Sequence, residues 1–241
     1  MGKLVFRRAG IELYHADCFN QIPFIARNSI SAVITDPPYG VMHRSRNKLF
    51  SPIAGDDRPL DIRRLVKAIS NPLKTCRQAW IFGPWDKTLL SGLPISKVCI
   101  KIWNKNRLGT GSSFDRKGHE EILFFLNSKN KESTKECIAE NPERLPLLSV
   151  MTHPRMSNQR IHGNEMPIWL LRAIVEQSSH IGEIVLDPFA GSGAVLEAAL
   201  RLGRRAIGFE IDLAHCQTIK KRLNYVIDKM SSNEIYYQGA F

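Results

Sequence analysis

The chain has 241 residues, 43% of them hydrophobic, enough for one sizeable core. Its 34 Lys plus Arg stand against 23 Asp plus Glu, a formal charge of +11. Folding does not need that excess, and it fits a polyanion partner, nucleic acid ahead of a membrane surface. No apolar run approaches the roughly 18 residues of a membrane span, and the apolar part of the start is too short for a signal peptide. The five cysteines (18, 76, 99, 137 and 216) form no C-x-x-C pair. Neither a zinc site nor a disulfide framework is indicated, and reduced thiols in a cytoplasmic protein are expected.

In chain order, residues 30–35 (ISAVIT) form a short β-branched run that stops at Asp36-Pro37-Pro38. A helical pattern over 61–76 follows, then apolar runs at 79–82, 97–103 and 122–126. Residues 127–164 break the pattern, being rich in Lys, Glu, Asn, Ser and Pro, and read as an insertion rather than an ordinary loop. Helical patterns at 167–178, 194–202 and 213–228 then alternate with apolar runs at 184–186 and 206–211. Near-continuous apolar strands suit a sheet covered on both faces. Their alternation with helices predicts an α/β fold, an open, doubly wound and mostly parallel sheet, in a single domain spanning 1–241.

Residues 184–212 read IVLDPFAGSGAVLEAALRLGRRAIGFEID. A strand ends at Asp187, a turn passes through Phe189, Gly191, Ser192 and Gly193, and a second strand ends at Glu210. Such a unit lets a ligand lie against bare backbone, and a carboxylate closing the next strand can accept both hydroxyls of a ribose. The turn is not G-x-G-x-x-G, and Asp187 would repel a pyrophosphate while attracting an ammonium. S-adenosylmethionine, with an ammonium, a sulfonium and a ribose, matches these charges better than NAD. A plain tight turn would need neither carboxylate.

The Asp36-Pro37-Pro38-Tyr39 loop follows a predicted strand. Its prolines lack N–H groups, so their carbonyls only accept hydrogen bonds, Asp36 adds another acceptor, and Tyr39 offers a stacking face. Such a cage suits an NH₂ on a planar ring. Hydrogen bonds to Asp36 and to the Pro37 carbonyl would localise the amine's lone pair and aim it. A base would have to leave a duplex to reach the cage.

Together these motifs resemble the DNA amino-methyltransferases that make N6-methyladenine or N4-methylcytosine. Their order, Asp36 motif before glycine turn, is that of the circularly permuted β class. The resemblance covers most of the chain outside about 127–160. It implies a Rossmann-like methyltransferase fold, S-adenosyl-L-methionine as cofactor, double-stranded DNA with a flipped base as partner, and a homodimer as one arrangement. It further implies that Asp17 meets the cofactor adenine, and that Asn164 lies in a cofactor-side motif in which Met166 replaces the usual Lys. An Asp at the first motif position is the habit of adenine-N6 members, so adenine is the expected base and cytosine N4 the alternative.

Arg44, Arg46 and Lys48, just past the loop, are candidate phosphate contacts. Arg155 and Arg160, beside Asn158 and Gln159, are candidate base readers within the expected target-recognition insertion at 127–164. Cytosine-C5 chemistry is excluded by the absence of a Pro-Cys pair. No metal-ligand spacing exists among the histidines, so no metal is expected. An RNA or protein-amide substrate, or a silent DNA-binding relative, are further alternatives, against which the charge, the motif order and the intact Asp36, Tyr39, Asp187 and Gly191 all weigh.

Overall fold

The computed structural model describes residues 2–38, 60–105, 118–128, 149–152 and 166–232. The chain opens with a hairpin, β1 (Lys3–Arg8) and β2 (Ile11–His15), paired antiparallel. Its turn residues Ala9 and Gly10 both have positive φ, 51° and 80°, which matches the twist of the strands they join. The hairpin has no counterpart among the predicted strands, because β1 is charged at Lys3, Arg7 and Arg8 and masks the apolar alternation of Ile11 and Leu13.

A short helix α1 (Cys18–Gln21) leads to β3 (Ile30–Thr35), which is buried at every position. Helix α2 (Ile62–Ser70) starts where the Asp61 carboxylate accepts the Arg64 N–H at 3.1 Å. The helix expected over 61–76 stops at Ser70, since Pro72 has no N–H to extend the ladder. Residues after Pro72 open β4 (Leu73–Phe82) instead. Strands β5 (Ser96–Asn104), β6 (His119–Leu126) and β7 (Val150–Thr152) follow. The chain then alternates through α3 (Ile168–Ser178), β8 (Ile184–Asp187), α4 (Ala194–Arg201), β9 (Arg205–Glu210) and α5 (Leu213–Ser231). Of the expected insertion at 127–164, residues 150–152 add strand β7 beside β5, and residues 129–148 and 153–164 lie outside the described residues.

One nine-stranded sheet has the order β1-β2-β9-β8-β3-β4-β6-β5-β7. The run from β2 to β4 is parallel, while β6 pairs antiparallel with both β4 and β5. This is the expected α/β architecture with helices on both faces. Alternation assigns each strand residue to a face: Ala32, Ile34, Trp80, Phe82, Ile122 and Phe124 join the core under α3, α4 and α5. Val33, Ala79, Ile81, Leu123 and Phe125 join the core under α2. In the first core, the Trp80 indole is wholly buried and satisfies its N–H on Ser178 Oγ at 2.9 Å.

β3 leads through α2 to β4 on one side, and β8 leads through α4 to β9 on the other. The boundary between β3 and β8 is therefore a topological switch point, where open α/β sheets bind ligands at the carboxyl ends of their strands. The ladder there is short, pairing Ala32 with Val185 and Val33 with Leu186. Beyond it the two strand ends carry the chemistry.

Among the described cysteines, Cys18, Cys99 and Cys216 are free and Cys76 is disulfide-bonded. Cys76 thus departs from the expectation of reduced thiols throughout. No helix among the described residues is long and apolar enough to cross a membrane.

Candidate active site

β8 ends on Asp187, which is buried. The Thr35 hydroxyl, at the end of β3, donates to Asp187 Oδ1 at 2.8 Å, and the Phe189 N–H donates to the same oxygen at 3.1 Å. Burial pushes the Asp187 carboxyl up to about 7, and the charges of Asp36 and Glu210 push the same way, against those two hydrogen bonds. A chain with a formal charge of +11 therefore gathers carboxylates at this one sheet edge. That arrangement is set to receive a cation.

The turn after β8 is strapped to β9. Ala190 N–H donates to the Phe209 carbonyl at 2.8 Å, and Gly191 N–H donates to Glu210 Oε2 at 2.8 Å. Glu210 Oε1 in turn accepts the Asp212 N–H at 2.8 Å. Gly191 and Gly193 both have positive φ, 50° and 78°. A Cβ at Gly193 would sit 2.8 Å from Ile219 Cγ2, so α5 packs directly on the turn. A Cβ at Gly191 would meet only the Phe189 carbonyl, at 3.8 Å, which leaves that side of the turn open.

Asp17 lies beside this turn. His15 pairs with Glu210 in the sheet, and Ala16 N–H donates to the Glu210 carbonyl at 2.9 Å. Asp17 caps α1, its Oδ1 accepting the Phe19 N–H at 2.9 Å. Phe19 meets Phe189 edge-on, ring centroids 6.3 Å apart, and the Arg64 guanidinium lies 4.2 Å above the Phe19 ring. The first turn of α2 is thereby tied to the glycine turn.

Asp36 and Pro37 follow β3 directly, Asp36 half-buried and Pro37 buried. The structure thus brings together Asp17, Asp36, Pro37, Pro38, Asp187, Phe189, Gly191, Ser192, Gly193 and Glu210 at the carboxyl edge. Tyr39, Arg44, Arg46, Lys48, Arg155, Arg160 and Asn164 lie outside the described residues. Met166 packs as a partly buried apolar side chain against the core under α3.

Several contributors escaped the sequence. Thr35 was legible only as the end of a strand. Glu197, buried in α4, accepts from Arg201 Nε at 2.6 Å and from Arg222, whose Nη1 also reaches the Ser192 carbonyl at 3.3 Å. In sequence Glu197 and Arg201 resemble any exposed i, i+4 pair. Ile211 and Leu213 leave half their surface exposed beside Glu210, a signal that needs the fold to be seen.

The DNA methylase family for N6 and N4 amino-methylation matches the chain over residues 30–221. The chain is 26% identical to the type II methyltransferase M2.LlaDCHI of Lactococcus lactis subsp. cremoris, covering 93% of each. Its structure resembles a putative DNA modification methylase of Thermus thermophilus complexed with S-adenosyl-L-methionine, with a TM-score of 0.62 at 20% identity, over 89% of this chain and 95% of that one. It also resembles the cytosine-N4-specific PvuII DNA methyltransferase, with a TM-score of 0.61 at 12% identity, over 95% of this chain and 97% of that one. The match of the family over this span makes the chain a member of the N6/N4 amino-methyltransferase family of DNA methylases.

Proposed function

We propose that this enzyme methylates the exocyclic amine of a DNA base, adenine N6, with Asp36 and the Pro37 carbonyl as the groups that hold the amine. The observation that carries the reading is the Thr35–Asp187 hydrogen bond across the switch point, which ties the strand end before Asp36 to the strand end before the glycine turn. The methyl donor is S-adenosylmethionine, which when bound supplies a methyl group activated by its sulfonium.

The donor set fits that cofactor. Asp187, raised by burial and by neighbouring carboxylates, gains from an adjacent ammonium. Glu210 keeps acceptor sites beyond the two amides it holds. Asp17 is available for an adenine amine, and Ile211 for the face of the ring. Gly191 leaves the turn open to close approach. Phe189, Ser192 and Gly193 shape that turn, and Asn164 belongs to the same reading through its motif.

On the substrate side, Asp36 accepts one amine hydrogen and the Pro37 carbonyl the other, which orients the nitrogen lone pair and offsets the positive charge that grows on it. Pro38 fixes the loop, and Tyr39 stacks on the flipped base. No covalent enzyme intermediate is required. Arg44, Arg46 and Lys48 serve as phosphate contacts and Arg155 and Arg160 as base readers in this scheme. Asp at the first motif position favours adenine; cytosine N4 is the second reading.

The test is incubation with radiolabelled S-adenosylmethionine and unmethylated genomic DNA, followed by digestion to nucleosides. Label in N6-methyladenine is the expected result. Label in N4-methylcytosine would keep the mechanism and overturn the base. Unlabelled DNA from a protein that still binds cofactor would overturn the substrate.

A further inference from the structure

His215 stands in the first turn of α5, its N–H donating to the Asp212 carboxylate that caps the helix, at 3.3 Å. Its ring Nδ1 is 3.9 Å from Glu210 Oε1. That oxygen already accepts the Asp212 amide, and Oε2 accepts the Gly191 amide. A carboxylate offers about four lone-pair sites. Two are taken by backbone, and a ribose with two hydroxyls fills the other two. Nothing then remains for an imidazolium.

On the reading that Glu210 binds the cofactor ribose, we infer that protonated His215 competes with the ribose for Glu210, so that cofactor binding expels a proton from His215 into solvent. Charge works in the same direction, because a cationic ring beside a sulfonium and an ammonium repels the incoming ligand. His215 acts through Glu210 and is a positioning residue.

Among the described residues, the charged groups around the ring are Glu210 from β9 and Asp212 at the head of α5. Glu210, 3.9 Å from the ring, and then the charge of Asp212 raise the imidazole above its ordinary value against the opposing effect of burial. From β2, the His15 ring places its Nε2 3.0 Å from the Ile211 carbonyl. In the free protein the ring is thus held protonated toward neutral pH. Binding that needs the neutral ring pulls the proton off, and affinity climbs with pH until the free ring is itself neutral.

The test is calorimetry of S-adenosylmethionine binding between about pH 5.5 and 9 in buffers of different ionisation enthalpy. The wild-type protein, His215→Asn and Asp187→Asn are compared, since Asp187 contributes a proton of its own. The expected result is a dissociation constant that rises toward acid, by up to about tenfold per pH unit for each proton released. His215→Asn should release one proton fewer than wild type, and Asp187→Asn should keep the His215 proton. Imidazole NMR of the wild-type protein checks the same point without a substitution: the His215 titration should move to lower pH on saturation with S-adenosylmethionine. Equal proton release in wild type and His215→Asn, or an unmoved His215 titration, would overturn the inference while leaving the cofactor assignment standing. Failure of the wild-type protein to bind S-adenosylmethionine at any pH would instead overturn the cofactor reading on which it rests.

Discussion

The Thr35 hydroxyl and the Asp187 carboxylate, 152 positions apart in sequence, share a 2.8 Å hydrogen bond at the switch point of the sheet. Thr35 is the last residue of β3 and precedes Asp36, so one hydroxyl ties the stem of the Asp36 segment to the strand that ends at Asp187. Thr35→Val keeps the shape and removes the donor, leaving a buried carboxylate short of a partner. The expected loss is about 1–2 kcal/mol. It should be larger at pH 8 than at pH 5, because a hydrogen bond to an ionised carboxylate is the stronger one. Thr35→Ser should restore most of it. Thermal melts at the two pH values decide the matter, and an equal loss at both would remove Asp187 ionisation from the account.

Asp187 itself is expected to make the cofactor-free protein less stable as pH rises. Its folded carboxyl is raised from 3.8 to about 7. The stability held by the protonated form is therefore complete below the unfolded value and is lost as pH climbs through the folded one. Asp187→Asn should flatten that slope and stabilise the free protein at pH 8 by on the order of 1–3 kcal/mol. The same substitution should weaken S-adenosylmethionine binding by about tenfold or more, one lost charge-assisted contact. Denaturant melts across pH and a binding titration give both numbers. A variant that is less stable than wild type at pH 8 would contradict the burial argument.

Asp36→Ala should separate chemistry from cofactor binding. The amine loses one of its two acceptors, and methyl transfer should fall by roughly 10²–10⁴. S-adenosylmethionine affinity should stay within about fivefold, since the proposed role of Asp36 is to hold the base amine, and its charge opposes ionisation of Asp187. Asp36→Asn, which keeps one acceptor oxygen, should fall between. Single-turnover rates on DNA beside a cofactor titration distinguish these outcomes, and unchanged turnover in Asp36→Ala would remove Asp36 from the mechanism.

What the sequence displayed was whatever neighbours in the chain enforce. Two prolines after a β-branched run stop a strand, and Phe189-Ala190-Gly191-Ser192-Gly193 after an acid-terminated strand makes a turn; strand end and turn stand where expected. The apolar runs at 30–35, 184–186 and 206–211 were legible as strands because burial on both faces keeps those stretches largely apolar. The hairpin at the start is hidden by three charges on β1, and the helical pattern over 61–76 overruns the helix because Leu73 and Cys76 continue its apolar spacing past Pro72. Contacts between elements distant in sequence were not legible at all. Thr35 with Asp187, His15 with Ile211, and Glu197 with Arg222 join residues whose spacing carries no period, so only the assembled fold reports them.

The glycine turn itself offers the last prediction. Gly193→Ala meets two separate obstacles: a φ of 78° that a Cβ disfavours, and Ile219 Cγ2 only 2.8 Å from where that Cβ would sit. The backbone part costs about 1–2 kcal/mol, and overpacking against a buried β-branched side chain adds about 1–3 kcal/mol. Ile219→Ala alone leaves a cavity and should cost about 2–5 kcal/mol. Because α5 packs this closely on the turn, the double variant should lose less than the sum of the two, the cavity receiving the new methyl group. The coupling energy from chemical denaturation measures that contact. Strict additivity would assign the whole cost of Gly193→Ala to backbone strain and would mean that Ile219 does not brace the turn.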